Sequence, residues 1–439
     1  MDWVIEELAT LSLGDERLNK RAQEILSQLS NNPTDSIPVA CQGAAETKAA
    51  YRFFDNEKVN AEEIQRTHFN SMLARIEKQS VVLIPQDTTV LNFTNQVERN
   101  DAGPTTREGT KGMFLHSAIA ITPERVCLGV VSSKQWYRNE LKNLSRKERT
   151  QKDYGAPMDT KESFRWLENY RIAQEIALKF PNAMIVSIAD REGDIYKIYE
   201  EASQNLIQGG PVAHYLIRAK TDRRTCTEEG RRNAEKIKAT LRGKKPLGQI
   251  TIELPETRKR KARCAKLNVY SKKVHIALPD KCKKPQDYQP VEITAILCTE
   301  VNTPKGAEAI EWLLITDFSI LNFEQAYEKI QWYACRWQIE IFFKILKSGC
   351  KIEKVQLTDE NFRVCLSFYL IIAWRILYVV IMGRHYPDIS CECVFSREEW
   401  QTAIVVLYRK KPPKSPPTLN EMIRMVASLG GYLNRKSDP

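Results

Sequence analysis

An α/β fold is predicted for this chain, with helical segments on either side of a sheet-bearing middle, on three observations. From about residue 81, apolar runs of strand length alternate with amphipathic helix patterns. The first sixty residues, and those beyond Lys354, carry helix patterns without strand-like runs. The 439 residues are 42% hydrophobic and 28% charged, enough for the cores of two or three globular domains.

Short helices open the chain: "WVIEELATLSL", "ERLNKRAQEILSQLS" and "AAETKAAYRFFDN". Asp15 suits the N-cap of the second, while Arg17, Lys20 and Arg21 in its first turns oppose the helix dipole, a conflict that a bound phosphate would relieve. After the helix "AEEIQRTHFNSMLARIE" come strands "SVVLIPQDTTVLNF", "HSAIAITP" and "RVCLGVVSSKQWY". The helix "KESFRWLENYRIAQEIALKF", the strand "NAMIVSIADREGDIY", a further helix and the strand "AHYLIRAK" follow. A basic region with β-like pieces "LGQITIEL" and "KKVHIALP" precedes the strand "EWLLITD" and the helix "YACRWQIEIFFKILKSG". This order resembles a ribonuclease-H-like α/β catalytic core with a β-rich insertion. The expected domains are a helical domain at 1–60, an α/β domain at 61–357 with its insertion at about 221–305, and a helical domain at 358–439 that holds the Pro-rich "RKKPPKSPPT". The apolar stretch "VCLSFYLIIAWRILYVVIMG" has Arg375 in its middle and reads as a buried helix and not a membrane span. "MDWVIEELATL" lacks the basic start of a signal peptide.

The net charge of +11 points to an acidic partner. It is concentrated: Arg218 to Lys273 holds 19 Lys and Arg against 6 Asp and Glu, with Arg258, Lys259, Arg260, Lys261 and Arg263 the densest cluster. Eleven cysteines without a CxxC pair fit a reduced, cytoplasmic protein, and the five dispersed histidines read as structural.

Two apolar runs end in an acid, "VVLIPQDTT" at Asp87 and "AMIVSIAD" at Asp190, at the strand ends where ligands gather in α/β sheets. A third acid, Glu340, lies in a helix where Tyr333, Arg336, Lys344 and Lys347 fall within roughly 80° of it and of one another on a helical wheel. Alone, that stripe reads as a solvated face with Glu340 paired to Lys344. Three carboxylates together suit Mg²⁺ or Mn²⁺, and two such ions about 4 Å apart promote in-line displacement at phosphorus. Arg336, Lys344 and Lys347 would then grip the phosphate being cut.

The spacing of Tyr333, Arg336, Glu340 and Lys347 resembles the signature of the DDE transposases of the insertion-sequence-4 type. "DTT" at Asp87, "GMFLHS" from Gly112, "KESFRW" from Lys161, "DREGDIY" from Asp190, "EWLLIT" with Trp312, "LGDERLNKR", "AAYRFFDN" and "SLGGYLNRK" resemble further family motifs in order. The resemblance implies that Asp87, Asp190 and Glu340 hold two ions per active site, and that Tyr333, Arg336 and Lys347 hold the 5′ phosphate side of the cut. It further implies hairpin formation with a flipped base stacked on Trp312, DNA contacts from Arg218 and Lys220, and transposon-end contacts from Arg17 and Arg21. The implied partners are double-stranded transposon ends and target DNA, with a homodimer in the synaptic complex, no membrane, and a place at the bacterial nucleoid. Two departures stand out. Met113-Phe114 replaces a stretch where the family commonly has Trp, and the chain is expected to stop short of a dimerisation segment and so to be a monomer without DNA. A DNA-binding inhibitor or domesticated relative without transposition, and a simple nuclease, stay open as rivals.

Overall fold

The computed structural model describes residues 3–96, 99, 101–138, 158–254, 256, 261–278 and 289–429. Helices α1 (Trp3–Glu7), α2 (Glu16–Asn31), α3 (Ile37–Cys41), α4 (Ala44–Phe54) and α5 (Ala61–Ile76) lead into the sheet. In α2 the buried residues Ala22, Ile25, Leu26 and Leu29 follow the helical period, so one stripe faces inward.

The sheet begins with β1 (Val81–Asn92), β2 (Gly103–Pro104), β3 (Lys111–Ile121) and β4 (Cys127–Trp136), followed by α6 (Phe164–Lys179), β5 (Met184–Ala189), α7 (Tyr196–Gln208) and β6 (Ala213–Arg218). It continues through β7 (Arg224–Cys226), β8 (Arg232–Lys236), α8 (Ile237–Arg242), β9 (Gly248–Leu254), β10 (Arg263–Ile276), β11 (Val291–Glu300) and β12 (Glu311–Thr316). The strand order is β2-β3-β1-β5-β6-β12-β11-β10-β7-β8, with β4 on β3 and β9 on β10. The strands of the basic insertion therefore extend the core sheet and do not form a separate one, joined to it where β12 pairs antiparallel with β6. The parallel neighbours β1 and β5 are covered on both faces, which explains their unbroken apolar runs: Val82, Leu83, Ile84, Ile185, Val186 and Ile188 are all fully buried.

On one face Trp166 and Tyr170 of α6 and Tyr199 of α7 pack on the sheet. The other face carries α9 (Phe323–Ala334), α10 (Trp337–Lys344) and α11 (Asp359–His385), whose Phe342, Phe362 and Phe368 join the larger core. The apolar α11 lies inside the protein, its Trp374 indole donating to the Cys127 carbonyl at 2.9 Å and Arg375 donating to the Val394 carbonyl. Helices α12 (Arg397–Tyr408) and α13 (Leu419–Leu429) close the described chain.

Candidate active site

The parallel register from Val81 opposite Met184 to Pro85 opposite Ile188 sets the site. Asp87 and Asp190 each stand two residues beyond the last pair, so they are level with one another just past the end of the shared ladder. Asp87 is not the end of its strand, as the sequence suggests: β1 runs on to Asn92, with Asp87 opposite Ser117 of β3. Asp190 does end the β5 run, and its carboxylate accepts the Glu192 N–H at 2.7 Å to cap a single 3₁₀ turn. That turn lies so close to Trp166 and Ala189 that a Cβ on Gly193 would fall 2.5 Å from the Ala189 side chain, which is why the acid is followed by a glycine in "DREGDIY".

Glu340 reaches the same place from α10 through Arg336. The Arg336 guanidinium donates to Asp87, 249 residues away in sequence, at 3.0 Å and to Glu340 at 2.6 Å, bridging the two acids. Three details of the expected stripe change. The helix is interrupted at Cys335 and Arg336 and widens into a π segment at Ile345–Gly349, so the wheel of one regular helix does not apply. Glu340 pairs with Arg336, not with Lys344, which is exposed. Lys347 donates to the Val90 carbonyl at 2.8 Å and sits 3.2 Å from Glu353, so it ties the π segment to β1.

Burial pushes the Asp87 carboxyl up, and Asp190 and Glu340 add to this; the Thr88 N–H and Arg336 oppose it, leaving a pKa of about 6. Tyr333 is likewise raised by burial, against the opposing charges of Arg336 and Arg218, while burial lowers Arg218. Oxygen donors alone, on three half-buried carboxylates, fit a hard divalent cation. Among the described residues no three acid, His or Cys side chains enclose an ion as they stand. Arg336 lies between two of the acids, and its guanidinium supplies the positive charge there.

Trp312 on β12 and Arg218 at the end of β6 line both of two adjoining cavities, of about 520 and 1020 Å³. The smaller also holds Tyr333, Arg336 and the 60% exposed Trp337. Lys220 is exposed, its backbone N–H held by Asp194 at 2.8 Å. The α2 cations differ from expectation. Asp15 caps the helix and also binds the Arg17 side chain at 2.9 Å, and Arg21 pairs with Glu24 at 2.7 Å, so a carboxylate already occupies the anion position proposed for phosphate. Arg258, Lys259 and Arg260 lie outside the described residues, and Arg263 is paired with Glu300. Phe114, where the family's Trp is replaced, is buried and stacks on Trp136 at 5.3 Å.

Two groups behind the acids went unassigned in the sequence, although their motifs were noted. His116 of "GMFLHS" contacts Thr88 Oγ1 at 2.8 Å and Gln86 Oε1 at 3.2 Å. Burial, aided by Arg165 and Lys134, lowers its pKa to about 3, so the ring is neutral. Arg165 of "KESFRW" bonds both Thr88 and Glu192.

Three family models match the chain. One described as "Transposase DNA-binding" covers residues 1–59, "Transposase DDE domain" covers 211–376, and "Transposase Tn5 dimerisation domain" covers 371–439. The DDE match contains Arg218, Trp312, Tyr333, Arg336 and Glu340 and implies a ribonuclease-H-like core. Asp87 and Asp190 precede it and join the site through the strand register. The dimerisation match overturns the expectation that this segment is missing, and with it the ground for expecting a monomer. Exposed Val405, Val406 and Tyr408 of α12, and Val426 and Leu429 of α13, fall within it. Set beside the geometry, these matches indicate a DDE transposase resembling that of Tn5, with a DNA-binding part and a dimerisation part that support DNA and a second copy of the chain as its partners.

Proposed function

We propose that the protein is a cut-and-paste DNA transposase of the insertion-sequence-4 type, which frees the ends of its element through a hairpin intermediate and joins them to target DNA in the bacterial nucleoid. The observation that carries this reading is the level placement of Asp87 and Asp190, with Asp87 bridged to Glu340 by Arg336. These three carboxylates would hold two Mg²⁺ or Mn²⁺ ions, which activate the attacking hydroxyl and stabilise the leaving oxygen. Arg336 then exchanges its carboxylate partners for the phosphate on the 5′ side of the cut, assisted by Tyr333 and by Lys347. Trp312 offers a face for an unstacked base at the junction of the two cavities, and a hairpin needs such a base because a duplex end is too stiff to turn on itself. Arg218 and Lys220 face the DNA, Lys344 adds a surface cation, and Arg17 and Arg21 meet the transposon end after releasing Asp15 and Glu24. The three domains proposed are 1–60, 61–357 and 358–439, the last including the dimerisation part. The rival reading of a truncated inhibitor rested on a missing dimerisation segment and loses that support.

The test incubates the full chain and Mg²⁺ with duplexes bearing candidate element ends and resolves the products on denaturing gels. Nicked strands appear first and hairpins second. Non-specific degradation without hairpins would reduce the protein to a nuclease on this fold.

A further inference from the structure

We propose that Arg165 is a positioning residue that holds the Asp87 strand and the Asp190 turn at the spacing a divalent cation requires. The inference rests on the metal reading of the three acids. The parallel ladder between β1 and β5 ends at Pro85 and Ile188, before either acid, so no backbone pairing fixes the distance between Asp87 and Asp190. Two carboxylates facing each other there repel and tend to spread.

Arg165 spans that gap one residue past the first acid and two past the second. Its Nε donates to Thr88 Oγ1 at 3.1 Å, and its Nη2 to Glu192 at 2.9 Å. A third bond, from Nη1 to the Glu162 carbonyl, anchors the fork to its own segment. The side chain is only 10% exposed, with the Trp136 and Trp166 rings 5.2 and 5.7 Å from its guanidinium carbon. Behind it the network continues. Arg165 can only donate, so the Thr88 hydroxyl accepts from it and donates onward to His116 Nδ1. His116 Nε2 then donates to Gln86, whose amide donates to Ser187 on β5 at 3.2 Å. The two motifs that the reaction chemistry leaves without a role, "GMFLHS" and "KESFRW", thus meet at the residue after Asp87.

The sign of the effect separates this role from simple electrostatics. Arg165 is a cation beside a cation site, so deleting its charge would strengthen metal binding if charge were all that mattered, whereas losing the fork weakens it. The test measures Mn²⁺ binding to the full chain by electron paramagnetic resonance, for the wild type, Arg165→Gln, Arg165→Lys and the charge-neutral Thr88→Val. The expected result is an Mn²⁺ Kd raised about 10-fold or more in Arg165→Gln, within the range for removing a partner that orients metal ligands. Arg165→Lys does not restore it, because a lysine has one donor centre and cannot reach all three acceptors. Thr88→Val shifts Kd in the same direction. Unchanged or tighter binding in Arg165→Gln, or wild-type binding in Arg165→Lys, would overturn the inference. Should Arg165→Gln fail to fold, unchanged Mn²⁺ affinity in Thr88→Val overturns it as well. A wild type that takes up no Mn²⁺ sinks the metal reading itself and this inference with it.

Discussion

Two carboxylates, the buried Glu7 and the half-buried Asp87, sit in opposite electrostatic states, and the difference separates a fastener from the proposed reactive site. Glu7 on α1 is 3% exposed and lies 2.5 Å from His68 Nδ1 and 2.9 Å from Arg75. The ring passes the connection on, its Nε2 accepting the Val130 N–H at 2.8 Å, while Arg75 lies over the Trp374 ring at 4.2 Å and donates to the Leu128 carbonyl. One acid thus joins α1, α5, β4 and α11. Burial pushes its pKa up, but His68 and Arg75 more than offset this, and the carboxyl ends below its ordinary value. Asp87 has the reverse outcome: burial and two neighbouring acids outweigh the Thr88 N–H and one arginine. Where the protein compensates a buried charge fully, the charge holds structure; where it leaves negative charge uncompensated, the site can accept a cation.

The largest expected effect tests the reactive side. Asp87→Asn, Asp190→Asn or Glu340→Gln should each lower strand cleavage by about 1000-fold or more, with duplex affinity within about twofold of wild type, because a ligand set fails as a unit. Cleavage at near wild-type rate by any one of them would break the contrast with Glu7.

On the fastener side, Glu7→Ala leaves His68 and Arg75 without their shared acid, at a cost of about 3–5 kcal/mol. The readout is the melting temperature of the apo protein, which should fall by several degrees. A melting temperature within a degree of wild type would show that the junction between α1, α5 and α11 holds without the acid.

The pH dependence of stability should run in opposite directions for the two acids. Asp87 ionises near 3.8 when unfolded and near 6 when folded, so between those values the native state keeps a proton that the unfolded state has lost. Stability therefore falls as pH rises through that window, and the penalty persists above it. Asp87→Asn should raise the metal-free melting temperature at pH 8, by a stabilisation of at most ~3 kcal/mol, and leave it nearly unchanged at pH 3.5. Glu7, lowered on folding from an ordinary 4.5, contributes stability that is present above that value and lost as pH falls through its folded pKa. Glu7→Gln should therefore harm the protein more at pH 7 than in acid. Parallel pH profiles for the two variants would remove the distinction.

Much of the proposed site was legible in the sequence because it rests on local patterns. The apolar run ending at Asp190 marks a strand end, that before Asp87 marks a strand that runs on past the acid, and the spacing from Tyr333 to Lys347 resembles a known signature. What the sequence hid depends on pairings between distant residues. The bridge from Arg336 to Asp87, the fork of Arg165 and the seat of Lys347 on the Val90 carbonyl exist only once the sheet has formed. The helical wheel failed at Cys335 and Arg336, where the turn that aims the guanidinium at Asp87 replaces regular helix. Glu7 was hidden for the same reason: nothing in "WVIEELATL" announces that His68 and Arg75 will meet it.

The smallest expected effect carries the comparison to the basic insertion, where an ion-paired cation and an exposed one stand two residues apart. Arg263 donates to Glu300 at 3.0 Å through one nitrogen and contacts it through another, and the Glu300 side chain is 2% exposed, so this cation is already spent on joining β10 to β11. Lys261 is exposed and lines the larger cavity beside Trp312. If Lys261 meets a phosphate, Lys261→Gln should make log K for duplex binding less steep in log salt by up to about 0.9, the value for one phosphate contact. Arg263→Gln should leave the slope in place and lower the melting temperature instead, because it strands Glu300. A slope that responds to Arg263 and not to Lys261 would mean that pairing in the free protein does not decide which cations are left for DNA.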